Sequence, residues 1–288
     1  MRLRRLSGAL ALIAVTCTTL AVGTPPVAAA TFPLESTYAA RGTWAVSTGS
    51  TTDAAGNAYS LYYPTGLGAN GFHHPIVSWG NGTNAVPSQY SGLLTQLASW
   101  GFVVVASNSK ATGYGTEITA AANHMVSLNT TVGSVFYQKL DTTKIAAVGH
   151  SQGAGGSTRA VIANPGLFTT LVPIALPAKM WVSAGQEYDT ANVTRPVFFV
   201  GGANDWLIAS PATLTGYYNS VPGAAALGVL KGAGHNTIQG TGGGFLGYIT
   251  AWLMYQLQGD PAARGVFVGS PELLVNTNWQ NQAVKNLT

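Results

Sequence analysis

Apolar positions along the chain fall into two kinds of pattern. Short unbroken runs recur at Pro75-Ile76-Val77-Ser78-Trp79, Phe102–Ala106, Lys144–Val148, Leu171–Leu176, Val197–Val200 and Ala226–Leu230. Runs of that length, rich in β-branched residues, predict strands buried on both faces. Between them, apolar residues return every three or four positions, which predicts helices. Tyr90–Trp100 sets Leu93, Leu94 and Leu97 on one face, and Gly244–Leu257 does the same with Phe245, Ile249, Trp252 and Leu253. Glu117–Leu128, Gly153–Ala163 and Pro211–Asn219 read as further helices, the second of them stopped by Asn164-Pro165-Gly166. Residues 31–65 read as an opening β region, with Gly42–Ser47 and Ala58–Tyr63 separated by a turn-rich linker from Thr51 to Asn57. Residues 260–288 read as a polar tail of unassigned role. The alternation predicts an α/β fold: one domain over residues 31–288, with a central, mostly parallel sheet covered by helices on both faces.

The first 30 residues break this pattern. Arg2, Arg4 and Arg5 precede an apolar stretch from about Leu10 to Val22, and Ala28-Ala29-Ala30 offers a small-residue cleavage site. The stretch is short, rich in Thr and Ala, and interrupted by Thr24-Pro25-Pro26, so a cleaved secretory signal is expected rather than a membrane anchor. Cleavage changes the charge. The whole chain carries a formal +4, but losing three arginines leaves ten basic against nine acidic side chains. The only cysteine, Cys17, leaves as well, so the mature chain has no disulfide, thiolate metal site or cysteine nucleophile. With 8% charged residues and no basic run, a nucleic-acid partner has no electrostatic support. A secreted, extracellular monomer without cofactor or metal is expected.

Chemistry concentrates at Gly149-His150-Ser151-Gln152-Gly153, a G-x-S-x-G match placed after a strand and at the head of a helix. A nucleophile elbow belongs there: the serine occupies a strained turn, glycines on either side relieve the crowding, and the helix N-terminus faces developing negative charge. A serine needs a base. Of five histidines, His150 lies inside the motif and is expected to point away from Ser151, His73 and His74 precede an early strand, and His124 lies in a helix. His235, in Gly232-Ala233-Gly234-His235-Asn236, follows a strand end, where α/β sheets keep their chemistry. The acid expected to hold its tautomer is Asp205, again just past a strand; Glu187 and Asp189 are rivals in a polar stretch. The order Ser151, Asp205, His235 is that of an α/β-hydrolase. Backbone N–H groups of Gln152 and of Asn81, in the loop Gly80-Asn81-Gly82-Thr83, are the expected oxyanion donors. Trp206, beside Asp205, and Trp181 are candidates for lining the cleft.

These segments together resemble the secreted bacterial cutinases and polyester hydrolases that act on poly(ethylene terephthalate). The resemblance runs from about Ala58 to Gln256 and rests on Ser78–Thr83, Ser99–Val105, Lys144–Gly156, Gly202–Ala209, Tyr217–Pro222 and Gly232–His235. It implies the α/β-hydrolase fold, the Ser151, Asp205 and His235 triad, the Asn81 and Gln152 oxyanion donors, and an ester or polyester substrate. The chain also departs from that pattern. Asn81 stands at a usually aromatic position, Gln152 replaces a methionine, Pro177 stands where a tryptophan is usual (with Trp181 nearby), and the terminal disulfide is missing. Ester hydrolysis through an acyl-enzyme is the leading expectation. A lipase or carbohydrate-acetyl esterase would use the same triad, and a non-catalytic secreted binding protein on a hydrolase fold is the reading from another class.

Overall fold

The computed structural model describes residues 31–288; the secretory signal and Cys17 read from the sequence lie outside them. The described chain opens with a short helix, α1 (Pro33–Ala39), started by a proline that has no N–H to leave unpaired. It is followed by β1 (Val46–Thr52), β2 (Ala58–Pro64), β3 (His74–Gly80), α2 (Ser91–Ser99), β4 (Val103–Ser107), α3 (Thr116–Thr130), β5 (Leu140–His150) and α4 (Gln152–Ala163). The chain continues through β6 (Thr170–Ile174), β7 (Val197–Gly202), α5 (Pro211–Ser220), β8 (Ala225–Leu230), α6 (Leu246–Leu253), α7 (Pro261–Arg264), α8 (Glu272–Val275) and β9 (Trp279–Lys285).

The strands form one sheet in the order β1-β2-β4-β3-β5-β6-β7-β8-β9. The stretch from β4 to β8 is parallel, and β1, β2 and β9 close its ends with antiparallel pairings. The central strands are buried throughout because successive side chains serve two cores. Val77, Trp79, Val104, Ala146 and Val148 meet α2 and α6 through Leu93, Leu97, Ile249 and Trp252. The alternate residues Ile76, Val103, Val105, Ile145 and Ala147 meet α3, α4 and α5 through Ile118, Val161 and Leu214. The α/β-hydrolase expectation therefore stands, with helices on both faces.

Three local expectations are revised. The first strand runs on through Thr51 and Thr52, so the turn spans only Asp53 to Asn57, held by the Asp53 carboxylate on the N–H groups of Ala55 and Asn57. The chain from Thr31 does not begin as strand but as α1. Residues 260–288, read as a polar tail of unassigned role, pack on the core: β9 pairs with β8, and Trp279 is fully buried against Phe245 and Tyr248. No helix among the described residues is long and apolar enough to cross a membrane.

The sheet's order fixes where a site can lie. After β3 the chain moves to one side to make β4, then returns across β3 to make β5 on the other. The loops leaving β3 and β5 therefore diverge to opposite faces and open a crevice at the carboxyl edge.

Candidate active site

Ser151 sits at that crevice, between the last residue of β5 and the first of α4. Its backbone has φ 54° and ψ −120°, a left-handed setting that costs a non-glycine residue of order 1–3 kcal/mol. The surroundings hold it there. Its N–H donates to Ile174 O at 2.9 Å, and its carbonyl accepts from Ala154 N–H at 2.9 Å. Helix α4 can start so abruptly only because position 153 lacks a side chain; a Cβ on Gly153 would overlap the backbone of Gly80 and Asn81.

The structure brings Ser151, His235 and Asp205 into successive contact. Ser151 Oγ lies 2.9 Å from His235 Nε2, and His235 Nδ1 lies 2.5 Å from Asp205 Oδ2. A carboxylate only accepts, so Nδ1 carries the proton and Nε2 is left as acceptor for the serine hydroxyl. Asp205 is buried, with 3% of its surface exposed. Burial alone would raise its carboxyl, but the hydrogen bond and charge of His235, with the N–H groups of Ala209 and Ile208, outweigh it and hold the group below its ordinary range. The rival acids lie elsewhere: Glu187 is exposed, and Asp189 accepts from Ala191 N–H to start a short helical turn.

The Ser151 cleft has a volume of about 480 Å³, and Gln152 lies in its wall. The Gln152 N–H is the first of α4 and has no partner within the helix. Asn81, the other expected donor, is not among the residues that line the cleft. Asn81 is fully buried and stays below the cleft, its amide donating to Ser107 O and Ser109 O while Oδ1 accepts from Trp79 Nε1. The loop reaches the cleft only at Gly82 and Thr83. A Cβ on Gly82 would come within 3.5 Å of Ser151 Cβ, so this loop lies directly against the serine. Gly82 N–H is taken by the Tyr90 hydroxyl at 3.0 Å, whereas Thr83 N–H has no partner among the described residues.

The two tryptophans part company. Trp181 lines the cleft, and its Nε1–H donates to Leu207 O at 2.7 Å, tying two rim loops together. Trp206 is 75% exposed and projects outward; from its loop it is Ile208 that lines the cleft. Pro177 is also in the wall, its carbonyl accepting from the buried hydroxyls of Tyr188 and Tyr217. Tyr90, Gln186 and Gln239 are further cleft residues that carry no motif in the sequence.

His150 shares no hydrogen bond with Ser151 among the described residues, and its surroundings are specific. It is buried, Nε2 lies 2.9 Å from the His235 carbonyl, and Nδ1 lies 3.0 Å from the Tyr90 hydroxyl. Burial, then the neighbouring His235, push its imidazole down to about 3, so it is neutral at ordinary pH.

The chain matches the PET hydrolase-like family over residues 23–281. It is 26% identical over 216 residues to cutinase 1 of Thermobifida cellulosilytica, a match covering 68% of this chain and 76% of that one. It is equally similar to a cutinase of Thermobifida fusca, with 66% of that protein's length covered. A bis(hydroxyethyl) terephthalate hydrolase of Streptomyces coelicolor is 25% identical over 199 residues, 66% of this chain and 59% of that protein.

Proposed function

Because the chain belongs to the PET hydrolase-like family, and is on that ground a carboxylic ester hydrolase, we propose that it is a secreted serine esterase that cleaves polyesters through Ser151, His235 and Asp205. The observation that carries this reading is the unbroken run from the Ser151 hydroxyl through His235 to the Asp205 carboxylate, at 2.9 and 2.5 Å, at the base of a cleft.

In the proposed reaction, Ser151 Oγ attacks an ester carbonyl while its proton passes to His235 Nε2. Asp205 keeps the imidazole in the correct tautomer and stabilises its charged form. The oxyanion receives the N–H groups of Gln152 and Thr83, with Thr83 replacing Asn81 in this role. The protonated His235 gives its proton to the leaving alcohol, the acyl group stays on Ser151, and a water activated by His235 then releases the acid. Trp181 and Ile208 supply the apolar wall for the acyl or alcohol moiety. Residues 1–30 are read as a leader removed on export, and residues 31–288 as the single working domain.

The purified protein should hydrolyse p-nitrophenyl butyrate, with Ser151→Ala abolishing turnover and leaving the melting temperature within a few degrees. A folded wild type without turnover, or an active Ser151→Ala variant, would end this reading. Release of soluble acid from an aliphatic polyester film, compared with triglyceride emulsions and acetylated sugars, tests the substrate class.

A further inference from the structure

Behind the triad runs a second chain of polar contacts that the proposed reaction does not use. Gly82 N–H donates to the Tyr90 phenol oxygen at 3.0 Å, Tyr90 OH lies 3.0 Å from His150 Nδ1, and His150 Nε2 lies 2.9 Å from the His235 carbonyl. Only one proton assignment satisfies every pair. The His235 carbonyl can only accept, so His150 carries its proton on Nε2. Nδ1 is then an acceptor, and the phenol must donate to it while accepting from Gly82. The three hydrogen bonds thus run in one direction and end on the His235 carbonyl, an arrangement in which each polarises the next.

Both ends of this chain meet the reaction. At one end is the Gly82–Thr83 loop, which lies against Ser151; at the other is the main chain of His235 itself. The middle is rigid. Tyr90 and His150 are both buried, Tyr90 packs on Trp79 with ring centroids 4.8 Å apart, and His150 packs on the His235 ring at 4.9 Å. The segment bearing Tyr90 is also stitched to the His235 loop, through Gly240 N–H on Gln89 O at 2.7 Å and Gly92 N–H on Gly240 O at 3.0 Å. Gln239 Nε2 adds a long contact to the phenol at 3.5 Å. The motif residue between Gly149 and Ser151 is therefore a strut between two loops, and a tyrosine 60 positions away completes it.

We propose that Tyr90, acting through His150, is a positioning residue that fixes the spacing between the Gly82–Thr83 oxyanion loop and the His235 base, so that both meet one reacting carbonyl. The inference rests on the reading of Ser151 as nucleophile and His235 as base. Tyr90→Phe removes one oxygen from a packed ring. It leaves Gly82 N–H and His150 Nδ1 unpaired and frees the two loops to shift independently. Misplacement of this kind falls on the transition state more than on substrate binding.

The test measures kcat and KM on p-nitrophenyl butyrate, per serine titrated with a fluorophosphonate, so that misfolded protein is not counted. Tyr90→Phe and His150→Phe should each lower kcat about 10- to 100-fold, with KM within about threefold. The double variant should lose little more than the worse single one, because both changes break one chain. Tyr38→Phe, which removes a buried hydroxyl bound to Asp260 far along the sequence, should lower the melting temperature and leave kcat unchanged. An unchanged kcat in Tyr90→Phe, or losses that multiply in the double variant, would overturn the proposal. Should Tyr90→Phe fail to accumulate, an unchanged kcat in His150→Phe alone would overturn it. Ser151→Ala separates the two levels: activity surviving there defeats the nucleophile reading, whereas activity lost there but retained in Tyr90→Phe defeats only the strut.

Discussion

Asp205 and Asp189 are the same residue in different company. Asp205 is buried against an imidazole and two backbone N–H groups, while Asp189 is exposed and caps a helical turn. Asp205→Ala should lower kcat by about 10³–10⁴. Asp189→Ala should cost about 1 kcal/mol of stability and leave kcat nearly unchanged; equal losses in kcat would mean the acid is another group. The buried histidine before the serine makes a further prediction. The proton affinity of His150 falls from 6.5 to about 3 on folding. The unfolded chain therefore binds this proton first as pH drops below about 6.5, and stability declines from there toward pH 3, by at most about 1.4 kcal/mol per pH unit. His74, also buried, shifts the same way, and the depressed Asp205 carboxyl adds stability above the usual carboxylate range that is lost in stronger acid. Melting temperature measured from pH 8 to 4.5 should fall more steeply in wild type than in His150→Phe. The meeting of Ser151, His235 and Asp205 was legible in the sequence because few residue types can form such a contact chain and each lies just past a strand. That Asn81 is fully buried was not legible, because an asparagine just past the apolar run reads as the start of an exposed loop. The exposure of Trp206 was not legible, because no periodicity governs side-chain direction in a loop.

Among the elements, the junction of β5 and α4 is the least tolerant. The first turn of α4 lies against the end of β3, with no space between their backbones at Gly153. Gly153→Ala should lose about 1–3 kcal/mol or more, while Gly166→Ala, with open space around it, should stay within about 0.5 kcal/mol. Chemical denaturation of the two variants checks the contrast. The core strands and long helices were readable because burial imposes a period on their sequences. The C-terminal elements were not: α7 and α8 are four residues each, too short to show a helical period. Strand β9, Trp-Gln-Asn-Gln-Ala-Val-Lys, is an edge strand with three successive amide side chains, so it reads as loop. Helix α1, seven residues long and started by Pro33, was likewise hidden in what reads as an opening β region.

Across the described residues, the first helix and the C-terminal elements are held together without any disulfide. Glu272, nearly buried, accepts the N–H groups of Leu34 and Glu35 at 2.8 and 2.7 Å and the Tyr248 hydroxyl at 3.1 Å. In return, Glu35 accepts from Trp279 Nε1 at 2.6 Å and Asn276 Nδ2 at 2.7 Å. Glu272→Gln replaces one acceptor oxygen by an amide N–H₂ at which a backbone N–H already points. It should cost about 1–3 kcal/mol and speed hydrogen exchange in residues 33–39, with kcat per titrated serine unchanged. This clasp also sets an order of events. The acceptor that seats the first helix lies 16 residues from the end of the chain, so a polypeptide still emerging from the ribosome has nothing to seat it on. Seating of that helix therefore waits until Glu272 has been synthesised.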